Sequence, residues 1–312
     1  MAASSRRGAL SGAGQSAAEV VRRVLADDVA RLVENDPGVR HGVDPEAVHQ
    51  ARVATRRLRS QLRTFRPALK NKAVRRVAGP LRSLAGMLGA VRDADVLAER
   101  LATDVTGGDR GAGEEDAIGL ALSVALSRLR SERDTAFEAL LSEMDGEGYH
   151  SLLVALSSLA KAPPTTSAAR RPAGELLEPP VRRTWAKLEQ EVATLPPVPS
   201  DSQLHRVRIR AKRARYAAQA AAAFSPEACG LLVKHLTKLQ DVLGALNDGS
   251  RAVAWLEHLR AEPPSAAETV LSGIDVLIAR ERAAMATVRA EWHERYSRAR
   301  EAALQLGWAA TG

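Results

Sequence analysis

The chain has 312 residues, with 45 Lys and Arg against 37 Asp and Glu for a net charge of +8, and it is 45% hydrophobic but only 3% aromatic. That length supports a buried core in one large domain or two ordinary ones. Its alanine- and leucine-rich apolar fraction favours helices, and its basic balance points toward a polyanionic partner. The single Cys229 excludes an internal disulfide framework, which fits a reducing compartment, and no stretch approaches the roughly 20 apolar residues that span a bilayer.

Residues 1–16 read as a flexible tail. Its Arg6-Arg7 pair looks like the start of an export signal, but Glu19 and Arg22 follow before any sustained apolar run, so a soluble cytoplasmic protein is expected. Helical periodicity covers 17–34 and stops at Asn35-Asp36-Pro37-Gly38. Asp44-Pro45 then supplies an N-cap and a first-turn proline for a helix reaching about residue 66. Helices are expected over 68–91 and 93–105, a glycine-rich loop over 107–113, a long helix over 114–144 and a short one over 149–160.

The Pro-, Ser- and Thr-rich run 163–180 is the candidate linker. Helical pattern resumes over 181–195, breaks at Pro196-Pro197-Val198-Pro199, and restarts with Ser200 or Asp201 as cap. Pro226 separates this helix from one ending near residue 247; another covers 248–260, and a long one 266–300. No segment shows strand alternation, so the fold class is all-α. The expected layout is a tail (1–16), a first helical half (17–160), a linker (161–180), a second half (181–300) and a C-terminal tail (301–312).

One basic motif occurs twice. His49-Gln50-Ala51-Arg52-Val53-Ala54-Thr55-Arg56-Arg57-Leu58-Arg59 and His205-Arg206-Val207-Arg208-Ile209-Arg210-Ala211-Lys212-Arg213-Ala214-Arg215 share His-x-x-Arg-[Val/Ile]-x-x-[Arg/Lys]-Arg-x-Arg. On a helix His49, Arg52, Arg56, Arg59 and Arg63 form one stripe beside an apolar stripe of Val48, Ala51, Leu58, Leu62 and Phe65. His205, Arg208, Lys212 and Arg215 lie likewise beside Leu204, Val207, Ala211, Ala214 and Ala218. The repeat extends to Leu84, Leu88, Gly89, Asp93 and Leu101, matched by Leu239, Leu243, Gly244, Asp248 and Leu256. An internal duplication of this kind predicts two pseudo-symmetric helical bundles with the basic helices face to face.

A charge run is usually a solvated face, but such faces mix signs, and here no Asp or Glu occurs over 47–92 or 202–226. Like charges three or four apart cost roughly 0.2 to 0.5 kcal/mol per pair, so each helix carries about 1 to 2 kcal/mol that a bound polyanion would remove. Arginine forks can donate two parallel bonds to phosphate, and the ladder suits an extended ligand better than a single phosphate. First-turn His49 and His205, beside arginines and the positive helix end, are expected to gain a proton when phosphate binds.

Phe65, Tyr216, Trp185, Trp255, Trp292 and Trp308 are expected in the core. Asp93 and Asp248 are expected to cap helices or pair with arginines. His41, His150, His235, His258 and His293 share no spacing with a cysteine or carboxylate cluster, so no metal site and no cofactor are expected.

With these motifs the chain resembles the CHAD family, the conserved histidine α-helical domain, over about residues 17–300. The resemblance implies two helical bundles around a basic central channel that binds inorganic polyphosphate, with localisation to polyphosphate granules and contact with granule-associated proteins. Carried over, the polyphosphate contacts would be His49, Arg52, Arg56, Arg57, Arg59 and Arg63, matched by His205, Arg208, Lys212, Arg213 and Arg215, with Arg82, Lys234 and Lys238 extending the channel. Lys212 departs from the pattern by standing where the first copy has Arg56, keeping charge but losing the fork. Many relatives carry a triphosphate-hydrolysing barrel of the CYTH type with Glu-x-Glu-x-Lys on a strand; here Glu189-Gln190-Glu191 is followed by Ala193 within a helical pattern. A non-catalytic binding domain with no membrane role is expected. The alternatives are a nucleic-acid backbone binder, although the basic helices offer almost no aromatic platforms, an enzyme acting on polyphosphate or a phosphate ester, and a purely structural scaffold.

Overall fold

The computed structural model describes residues 14–42, 44–103, 112–261 and 268–309. Among these the regular structure is helical, with two isolated β-bridges as the exception, Ser16 to Pro172 and Leu69 to Thr165. Ten α-helices follow in order: α1 (Ala17–His41), α2 (Pro45–Thr64), α3 (Asn71–Thr103), α4 (Ala112–Asp145), α5 (Glu147–Lys161), α6 (Ala173–Ala193), α7 (Asp201–Ala222), α8 (Pro226–Ala261), α9 (Glu268–Arg289) and α10 (Trp292–Gln305). The second five repeat the arrangement of the first. Helix α2 packs between α1 and α3, α7 packs between α6 and α8, and the halves meet where α2 touches α7 and α4 touches α9.

Both basic helices start as their first residues dictate. Asp44 accepts a bond from the Glu46 amide (2.9 Å) ahead of Pro45, whereas Ser200 and Gln203 close a reciprocal capping box. Their apolar stripes then bury: Val48, Ala51, Leu58 and Leu62 on α2, and Leu204, Val207, Ala211 and Ala214 on α7. This burial orients the opposite, cationic stripes. A smaller apolar cluster, including Leu101, Ile118, Leu256 and Ile274, holds the far ends of α3 and α8 against α4 and α9. There α4 and α9 approach so closely that a Cβ on Gly273 would lie 2.1 Å from the Ala117 carbonyl oxygen.

Several expected boundaries are corrected by tertiary contacts. Helix α1 continues through Pro37 and Gly38 to a left-handed cap at Gly42 (φ 69°). Its last turn is held by Arg40, which bonds Asp36 (2.9 Å), Asp145 and the Met144 carbonyl (2.7 Å), and a Cβ at Gly38 would lie 2.7 Å from that of Ala47. Helices α3 and α8 run unbroken past Asp93 and Asp248, so neither carboxylate is a cap. The expected helix over 266–300 is two, parted at Ala290-Glu291; the bend buries Trp292 and stacks Tyr296 on Trp185 with centroids 6.2 Å apart.

The segment expected as a linker is pinned. Lys70 donates to the Pro164 carbonyl (2.8 Å), Ala17 to that of Arg171 (2.9 Å), and Thr166 to that of Ala68 (2.9 Å). Residues Ser167–Arg170 form a 3-10 turn, and α6 begins before Pro179 and Pro180 and contains both. At the two ends, Ser16 caps α1 through a box with Glu19, and Trp308 is buried with its indole N–H on Glu178 (3.2 Å). The rest of the expected N-terminal tail and most of the 107–113 loop lie outside the described residues.

Candidate functional site

Where the first halves of α2 and α7 meet, an open cavity of about 480 Å³ is lined by His49, Arg52 and Arg56 of α2, Arg92, Asp93 and Arg100 of α3, Arg208 of α7, and Asp248, Arg251 and Trp255 of α8. The cations outnumber the carboxylates, and the carboxylates are already engaged. Asp93 is bridged by Arg52 (2.9 Å) from its own half and Arg251 (2.8 Å) from the other. Burial alone would raise its carboxyl, but the bond from Arg251 and the two guanidinium charges outweigh that and hold it below the ordinary range. Arg52 also donates to the Gly89 carbonyl (2.7 Å), and a Cβ at Gly89 would lie 3.2 Å from that guanidinium. The glycine of the first Leu-Gly-x-x-x-Asp motif therefore makes room for an arginine of the basic helix.

Arg100 is held by Glu281 (2.7 Å), but other cations in and beside the cavity are poorly compensated. Burial, reinforced by Arg56, Arg208, Arg52 and Arg215, pushes the Lys212 ammonium down to about 7. Burial also lowers Arg208, opposed by Asp248 and reinforced by Arg56, Arg251 and Arg52. His49 is lowered first by burial and further by Arg92, Arg56 and Arg52. The Nε atoms of Arg56 and Arg215 are buried without a hydrogen-bond partner, and both guanidiniums lie over the Tyr216 ring, at 5.9 and 5.0 Å. Such a group of desolvated like charges is costly until an anion enters it.

The cationic face continues beyond this cavity. A second one of about 520 Å³ is lined by Arg63 and Arg66 with Arg183 and Lys187 of α6 and Arg210 and Arg213 of α7. A third, of about 280 Å³, joins Arg59, Arg63 and Arg66 to Arg75 and Arg82 of α3. Arg213 is lowered by burial, then by Arg63 and Arg210, and Arg59 by burial, then by Arg82. Among the described residues no carboxylate lines either cavity.

Four expected contacts stand apart. Arg57 turns to α1, where it pairs with fully buried Asp28 (3.0 Å), because the wheel places it off the stripe. His205 is exposed and its Nδ1 lies 2.7 Å from Asn247 Oδ1. Lys234 and Lys238 are exposed on α8 around His235, whose other charged neighbours, Arg298 and Glu301, belong to α10. Conversely, Arg92, Arg251, Arg66, Arg183 and Lys187 were not singled out by the sequence. Arg251 matches Val96 in the repeat, so duplication could not reveal it. Trp255, expected in the core, is half-buried in the cavity wall.

The chain belongs to the CHAD domain family, whose pattern its sequence matches over residues 23–257. That family is associated in general with polyphosphate binding. The chain is 30% identical over 262 residues to an uncharacterised protein of Mycobacterium tuberculosis, MT2285 in strain CDC 1551 / Oshkosh and Rv2226 in strain ATCC 25618 / H37Rv; the match covers 81% of this chain and 47% of that protein. It thus spans about half the length of these relatives. Its structure is similar to PptA from Streptomyces chartreusis (TM-score 0.75, 21% identity, covering 91% of this chain and 100% of that one). It is also similar to the CHAD domain from the plant Ricinus communis (TM-score 0.65, 24% identity, covering 89% and 92%). Likeness at these identities carries the all-helical fold. Among the described residues no helix is long and apolar enough to cross a membrane.

Proposed function

We propose that this chain binds inorganic polyphosphate without hydrolysing it, along the cationic faces of α2 and α7. The observation that carries this reading is the crowding of Lys212 by Arg52, Arg56, Arg208 and Arg215, drawn from both repeats. An extended polyanion can follow the ladder from His49 to Arg66, whereas a single phosphate would use one turn of it. A binding role suits the carboxylates present, since Asp93 is clamped by two guanidiniums and so is poorly placed to act as a base or to hold a metal. We extend the reading to polyphosphate granules and to proteins met there, a step that co-localisation of the tagged protein with granules tests.

The direct test is titration with polyphosphates of increasing length at two salt concentrations. Affinity should rise with length until the ladder is filled and fall with salt. Arg56→Glu combined with Arg208→Glu should weaken binding by about a hundredfold or more with helicity retained, two reversed charges each being worth more than about 1.4 kcal/mol. Unchanged affinity in that variant would refute the site. DNA or RNA displacing long-chain polyphosphate at physiological salt would favour a nucleic-acid backbone ligand instead.

A further inference from the structure

The main cavity is not cationic all round. Val53, Val96, Leu97, Ala254 and Trp255 form part of its wall, and an inorganic phosphate polymer has no apolar group to place there. Beside it lies another cavity, of about 580 Å³, which shares Arg52, Asp93, Leu97, Arg251 and Trp255 with the first. Its other lining is mostly small or apolar, including Ala85, Gly86, Ala90 and Ala94 of α3. Trp255 stands at the junction. Its indole N–H donates to Glu132 Oε2 (3.1 Å), which fixes the ring, and unlike buried Trp185, Trp292 and Trp308 it is only half-buried.

The repeat sharpens the point. Because Leu101 and Leu256 correspond, Trp255 occupies in the second half the position that Arg100 occupies in the first. A homopolymer placed between two matching halves would be served by the same residue on both sides. Arg100 is neutralised by Glu281 (2.7 Å), whereas the indole in its place borders the cavity, which suits a ligand with phosphates along most of its length and a flat apolar group at one end.

We infer that this pair of cavities takes a nucleoside polyphosphate, with the phosphate chain on Arg52, Arg56 and Arg208 and the base against Trp255. The inference rests on the phosphate-binding reading above and adds the chemistry of the ligand's other end. Asp93 lies at the waist shared by both cavities, where a sugar would sit, and after bonding Arg52 and Arg251 its carboxylate retains acceptor capacity for hydroxyl groups.

The test compares ATP, inorganic tripolyphosphate and long-chain polyphosphate by calorimetric titration of the full chain, in the parent, Trp255→Ala and Trp255→Phe. ATP should bind about tenfold more tightly than tripolyphosphate, as stacking of one base allows. Trp255→Ala should remove that advantage and Trp255→Phe keep part of it, while tripolyphosphate affinity stays within about twofold and helicity is unchanged. Equal binding of ATP and tripolyphosphate, or equal weakening of both by Trp255→Ala, overturns the inference. If long-chain polyphosphate still binds in that case, the proposed function stands without it. Trp255-dependent ATP binding with no binding of long-chain polyphosphate would instead overturn the proposed function and keep the nucleotide site.

Discussion

If polyphosphate binds as proposed, Lys212 should make the binding proton-linked. Its ammonium, pushed down to about 7 by burial and by Arg56, Arg208, Arg52 and Arg215, loses its charge in the free protein across the neutral range. Phosphate oxygens placed around it would restore ordinary basicity, so above pH 7 binding should take up a proton, at a cost of about 1.4 kcal/mol per pH unit. Between pH 6 and 8.5 the affinity should therefore fall by about thirtyfold, measured by titrating long-chain polyphosphate at constant ionic strength. Lys212→Arg should flatten that dependence, because the guanidinium stays charged throughout. A flat profile in the parent, or an undiminished slope in Lys212→Arg, refutes the reasoning. The same shift bears on stability with the opposite appearance. An unfolded lysine keeps its proton to about 10.4, so between pH 7 and 10.4 the unfolded chain binds more protons than the folded one, and stability rises with pH across that window.

Other outcomes follow from individual contacts. Lys212→Met should stabilise the free protein at pH 7 by about 1 to 2 kcal/mol, a rise of a few degrees in thermal unfolding, while weakening polyphosphate binding. Arg57→Ala leaves Asp28 with the Gln61 amide but no opposing charge, and burial already raises its carboxyl against the charge of Arg57; denaturant unfolding should show a loss of about 3 kcal/mol, with polyphosphate affinity within about twofold of the parent. A drop in affinity like that of an Arg56 variant would return Arg57 to the site. Asp93→Asn removes one carboxylate from the cavity and should raise polyphosphate affinity about fivefold at low salt, a gain of about 1 kcal/mol; a fall would mean that Asp93 matters more for holding Arg52 and Arg251 in place.

The two basic helices were legible because caps, periodicity and charge all agree in them. Asp44-Pro45 and the Ser200 box mark their starts, and the apolar stripe decides which way His49, Arg52, Arg56, Arg208 and Lys212 face. What local pattern could not reveal was set by partners distant in sequence. Asp93 looks like a cap until Arg251 reaches it from the other half. Pro37 looks like a helix end until Arg40 ties the next turn to Asp145 and Met144. Lys234 and Lys238 carry the right charge on a helix whose relevant face points elsewhere. Trp255 reads as core because an indole usually is, and only the cavity beside it shows otherwise.

Glu281 of α9 is buried and holds Arg100 of α3 through bonds of 2.7 to 2.9 Å. One repeat on its own would strand that carboxylate and bare the α4 face that Gly273 meets. The two halves are thus tied together by a buried ion pair as well as by apolar contact.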